Sequence, residues 1–73
     1  MNNFRITIAS LPDRENLVAE ISYNNIQFAE ISHETSELII QFYPHPKEKY
    51  WEFSADEILA IIEKAKKRLI EVG

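Results

Sequence analysis

Apolar and polar residues alternate along most of the first half of this chain and then change period. Phe4, Ile6 and Ile8 alternate with Arg5, Thr7 and Ala9, the period of a strand with one face buried and one face wet. The same alternation returns from Leu17 to Tyr23, with Leu17, Ala19, Ile21 and Tyr23 on one face. It returns again from Gln27 to Ser32, and from Leu38 to Tyr43 with Leu38, Ile40 and Phe42 facing inward. After Ser54 the spacing becomes helical: Ile58, Ile62, Ala65 and Leu69, flanked by Leu59 and Ile61, form one stripe. The pattern predicts an α+β fold, an antiparallel β-meander of four to five strands with one C-terminal helix from Ala55 to Val72 packed on one face. The optional fifth strand is the short run Tyr50–Phe53.

The connections carry their own signals. Leu11–Asn16 is a turn in which Pro12 presets φ, and Asp13 and Asn16 can bond nearby backbone. Tyr43–Lys49 contains two prolines and cannot be a central strand. Ser54 followed by Glu57 is a capping box, and Phe53 with Ile58 fits the accompanying hydrophobic staple. Asp56 and Glu57 suit the positive end of the helix dipole, and Lys66, Lys67 and Arg68 the negative end. Gly73 stands where a C-terminal cap belongs.

Ala-Glu-Ile-Ser occurs twice, at Ala19–Ser22 and Ala29–Ser32, with Asn24-Asn25 between the copies. The two runs read as a β-hairpin with a carboxylate on each strand. A strict two-residue turn would pair Ala19 with Glu30 and push that glutamate toward the core. One more loop residue or a bulge would correct this, and because a buried unpaired carboxylate costs several kcal/mol the extra residue is expected, with Glu30 facing water beside Glu20.

Composition narrows the function. Seventy-three residues make a single domain, 1–73, with a small core. The chain has no cysteine, which excludes disulfides and thiolate metal sites and makes the cytoplasm the simplest compartment. No signal peptide is expected, because Met1–Arg5 leads directly into a strand, and no apolar run is long enough to span a membrane. The net charge of −4 argues against a nucleic-acid partner. Its distribution is uneven. Ten acids and four bases precede Ile58, while two acids and four bases follow, and Glu15–Pro46 holds five acids without a lysine or arginine.

Candidate chemistry is sparse. Glu20 and Glu30 resemble an acid/base pair only in proximity, since a thin sheet has little depth in which to separate two pKa values. His33 and His45 lack metal-ligand spacing and are expected to be exposed. The serines have no triad partner, and the one glycine, Gly73, cannot build a phosphate loop. No catalytic residue, metal or cofactor is expected. The aromatic segment is less easily dismissed. Phe42 and Phe53 suffice to close the core, leaving Tyr43, Tyr50 or Trp51 as exposed anchors for a protein partner.

The acid-only stretch, the short antiparallel strands and the Lys47–Ser54 lead into one helix resemble the small acidic immunity proteins of bacterial toxin–immunity pairs, including contact-dependent inhibition and polymorphic toxin systems. The likeness lies in plan and charge over the whole chain. It implies a non-catalytic inhibitory binding protein whose partner is a basic toxin domain, often a nuclease, blocked at its active site. The residues expected to meet such a partner are Glu20, Glu30, Glu37, Tyr43 and Trp51. The alternative is a homo-oligomeric structural or regulatory module joined at a free sheet edge, Phe4–Ala9 or Leu38–Tyr43, so that both monomer and homodimer are open.

Overall fold

In the computed structural model, residues 3–72 are described. Four strands, β1 (Phe4–Ala9), β2 (Val18–Tyr23), β3 (Ile26–Ser32) and β4 (Ile39–Phe42), form one antiparallel sheet in the order β1-β2-β3-β4. A single helix, α1 (Ala55–Val72), follows. The expected α+β meander is the observed fold, with four strands. Tyr50–Phe53 is loop and adds no fifth strand. The Gly73 cap lies outside the described residues.

The β2–β3 hairpin solves its register problem in the strand. Asn24 and Asn25 have φ of 52° and 69°, the left-handed pair that a type I′ turn requires and that asparagine tolerates better than other residues bearing a Cβ. Ser22 pairs with Gln27 and Tyr23 with Ile26, but the register shifts beyond Ile21 so that Ile21 pairs with Ala29 and Glu20 with Glu30. Phe28 is the extra residue of this bulge. It restores both Ala-Glu-Ile-Ser copies to one orientation, as their duplication requires. Asn25→Ala is expected to cost about 1–2 kcal/mol, because alanine has no local compensation for a left-handed backbone. Asn25→Gly should be neutral or stabilising, and urea denaturation followed by circular dichroism reads both.

The helix begins where the cap predicts. The Glu57 N–H donates to Ser54 Oγ at 3.4 Å, and the Ile58 N–H to the Ser54 carbonyl at 2.9 Å. No base lies in the last turn, because the helix continues past Arg68 to Val72. Lys66, Lys67 and Arg68 therefore sit too far back to complete the dipole as expected, since its influence falls off within one turn. Arg68 instead donates to the Ile6 carbonyl at 3.5 Å, which turns its flank of the helix toward β1.

The core lies between helix and sheet: Ala19, Ile21, Phe28, Ala29 and Ile31 below, Ala65 and Leu69 above. Three of these are alanines, whose lack of bulk brings the helix close to the strands. Phe28 is the hub at one end, with ring centroids 4.7 Å from Phe53, 5.5 Å from Trp51 and 6.0 Å from Phe4. The loop 43–54 thus supplies aromatics to the core without supplying a strand.

The inner face is less fully covered than expected. The helix lies over β2 and touches β1 and β3, but it does not reach β4. Phe42, expected to close the core, is 62% exposed, and Ile40 is also open. Leu59, expected beside the buried stripe, is exposed too, being about 120° round the helix from Ala65.

Candidate functional site

The face of the sheet away from the helix carries a polar row. Thr7, Glu20, Glu30 and Gln41 are in register across the four strands, so two carboxylates stand directly opposite each other on β2 and β3. Like charges in that relation repel. The structure answers with Arg14, projected from the β1–β2 loop, where the Arg14 N–H closes a turn onto the Leu11 carbonyl at 3.2 Å. Arg14 Nη2 donates to Glu30 Oε2 at 2.8 Å and to Gln41 Oε1 at 2.9 Å. From the end of β4, Tyr43 Oη donates to Glu30 Oε1 at 3.0 Å.

Glu30 therefore does not face water. It points to the outer side as expected, but an arginine and a tyrosine close over it and leave its side chain 5% exposed. Tyr43 responds to the same crowding. Desolvation first, then its hydrogen bond to Glu30 and the charge of Glu30, push its phenol above the ordinary tyrosine value, while Arg14 acts in the opposite sense. The hydroxyl stays protonated at neutral pH and continues to donate.

Of the five partner-binding residues expected, the structure brings Glu20, Glu30 and Tyr43 together. Glu37 is exposed in the β3–β4 loop, where its N–H and C=O both bond the Thr35 hydroxyl. Trp51 is half-buried rather than exposed. It stacks on Phe53 at 5.5 Å and gives its indole N–H to the Tyr43 carbonyl at 3.0 Å. Arg14 completes the group without standing among the expected residues: alternation places it only in a turn, and the one sequence signal is that it is the base immediately preceding the acid-only stretch.

Glu34 and the two histidines make contacts that tie loops together. Glu34 accepts the backbone N–H groups of Glu15 and Asn16 at 3.0 and 2.9 Å, and the Asn16 amide donates to the His33 carbonyl at 2.8 Å. This latch ties the β1–β2 loop to the β3–β4 loop. The two backbone bonds hold the Glu34 carboxyl below the ordinary value of 4.5. Its contribution to stability is therefore complete above that value and is lost as pH falls through the lowered one. Glu34→Gln should flatten the acid limb of a stability–pH curve in that window and leave the neutral-to-basic side parallel to the parent's.

His45 is half-buried, not exposed as expected. Its Nδ1 accepts the N–H groups of Lys47 and Glu48, each at 3.0 Å, and its ring lies 4.4 Å from that of Trp51. Among the described residues no cluster of three His, Asp or Glu side chains could hold a metal ion. No helix among them is long and apolar enough to cross a membrane. An open cleft of about 520 Å³ lies at the Trp51 end of the sheet, lined by Tyr23, Ile26, His45, Tyr50 and Phe53 among others, without buried polar groups converging on it.

The other unusual surface is β4 itself. It is an edge strand, Ile-Ile-Gln-Phe, with every residue exposed and no charge or proline within it, and among the described residues the helix does not cover it. The Tyr43 N–H bonds the Phe28 carbonyl at 2.8 Å, which sets the phase of the ladder. By alternation, Ile39 and Gln41 direct their backbone groups to β3, and Ile40 and Phe42 direct theirs outward.

No protein-family model, curated protein or solved structure matches this chain.

Proposed function

We propose that this chain works by binding another polypeptide, not by catalysis, and that it does so along the β4 side of its sheet. The observation that carries this reading is the unguarded β4 edge. Its outward backbone donors and acceptors adjoin Ile39, Ile40, Phe42 and Tyr43, all at least one-third exposed. Apolar side chains beside an open edge suit strand addition, in which main-chain bonds give affinity and flanking side chains give selectivity. A cysteine-free chain suits a reducing compartment such as the cytoplasm.

A photo-reactive phenylalanine analogue at position 42, introduced in the producing cell, tests the reading. A discrete crosslinked adduct from position 42, absent when the same probe replaces Glu63 on the exposed helix, is the expected result. No adduct, or the same adducts from both positions, would overturn it.

The grouping of Glu20, on β2, with Tyr43, at the end of β4, on the outer face of the sheet favours a second, narrower reading, inhibition of a basic toxin-like enzyme. Here the half-exposed Glu20, with Tyr43 and the more distant Glu37, would steer a cationic surface toward the edge. Glu30, already paired with Arg14, and Trp51, half-buried against Phe28 and Phe53, drop out of the contact. This reading expects an adduct with a cationic protein and binding that weakens with added salt.

A further inference from the structure

We infer that the partner fitted to the β4 edge is a second copy of this chain, joined by antiparallel β4–β4 pairing on a two-fold axis through Gln41. The inference rests on the reading of β4 as the contact surface and adds its occupant and register.

The backbone selects the register. Only Ile40 and Phe42 offer outward N–H and C=O groups within β4, and an axis through Gln41 sets each Ile40 opposite the Phe42 of the other copy. Each such pair exchanges both of its N–H···O=C bonds. Moving the axis to Phe42 would set Ile40 against Pro44, which has no donor. Moving it to Ile40 would pair Phe42 with Leu38, which precedes the strand.

The side chains agree with that choice. On the helix side, the pairing makes two contacts between a β-branched and an aromatic residue, a favourable cross-strand combination. On the opposite side, Ile39 comes to Tyr43 of the second copy and Gln41 to its own mate. β4 itself carries no charge, so no like charges meet within the paired strands, and the Arg14 held by Gln41 beside the axis is neutralised by Glu30. The product is one continuous sheet with both β4 edges satisfied.

Four residues a side make a contact below the roughly 800 Å² per partner of standard interfaces, so a dissociation constant in roughly the micromolar to sub-millimolar range is expected. Repulsion between two acidic bodies adds a sign. Salt should strengthen this dimer, whereas it should weaken an acidic inhibitor bound to a basic partner.

The chain has no cysteine, so Gln41→Cys introduces a single thiol. In the proposed register the two Cα atoms of position 41 form a non-hydrogen-bonded pair about 4.5 Å apart. That lies within the roughly 4.4–6.8 Å a disulfide spans. Under mild oxidation at about 100 µM, Gln41→Cys should form a covalent dimer at least tenfold faster than Glu63→Cys on the exposed helix. Sedimentation of the unsubstituted protein should show dimer increasing with concentration and with salt. Phe42→Lys, at a site outside the core, should abolish it while circular dichroism stays unchanged. Equal rates for the two cysteine variants, or a monomer throughout the micromolar to sub-millimolar range, would overturn self-pairing. A monomer whose position 42 still crosslinks to a different protein in cells would overturn self-pairing alone and leave the binding reading standing.

Discussion

Arg14→Ala is expected to destabilise the fold by about 3 kcal/mol, the low end of the cost of breaking a buried ion pair. The loss of one surface-loop arginine would ordinarily be negligible. Here it strips Glu30 of its ion-pair partner and of one of the two groups that cover it, leaving the Tyr43 hydroxyl as its side-chain donor and the Glu20 carboxylate directly across the ladder. The arginine side chain keeps 23% of its exposure, which admits some water and places the effect at the low end of the range. Domains of this size have total stabilities of only several kcal/mol, so the variant should sit near its unfolding midpoint at moderate temperature. Chemical denaturation of Arg14→Ala, Glu30→Met and the Arg14→Met/Glu30→Met double variant forms the test. The double variant should recover most of what Arg14→Ala loses, because it removes both charges together. A change below about 0.5 kcal/mol in Arg14→Ala would mean that solvent screens the pair and that Glu30 is in effect a surface residue.

Glu30 also marks the limit of what was legible along the chain. Its strand, its outward direction and the need for an extra residue between the two copies all follow from alternation and from the duplicated Ala-Glu-Ile-Ser, while the placing of that residue at Phe28, within the strand, does not. These are local properties of a period-two chain. The covering groups are not local: Arg14 comes from a loop on the far side of β2, and Tyr43 from beyond the end of β4. Alternation assigns a residue to a face but does not say what lies over that face.

The β4 residues illustrate the same limit on the inner side. Ile40 and Phe42 do alternate inward, yet one helix is about 10 Å wide. Four strands spaced about 4.8 Å apart are wider than that. One helix must leave an outer strand bare, and placement over β2 decides that it is β4. The local signals at Ser54, Asn24 and Asn25 were legible because capping and tight turns depend on only a few neighbouring residues. The proposed contact surface was legible only as an edge whose exposure depends on where the helix settles.

Phe28→Ala should cost about 3–5 kcal/mol, the range for truncating a fully buried aromatic. Phe28 is 1% exposed and lies against Phe4, Trp51 and Phe53, so its removal opens a cavity at the junction of hairpin, loop and helix. In a domain of this size each kcal/mol moves the melting temperature by about 4–8 °C, so a drop well beyond 10 °C is expected. Trp51, the single tryptophan, gives a local readout. With the Phe28 ring gone, its indole gains water, and native-state emission should shift to the red even where the variant remains folded. Phe42→Ala supplies the contrast, because alternation alone ranks it as a core residue while the structure leaves it 62% exposed. It should cost about 1 kcal/mol or less, since little apolar area returns to water. Comparable losses from the two truncations would mean that the helix covers β4 after all, and the open edge on which the proposed self-pairing depends would no longer exist.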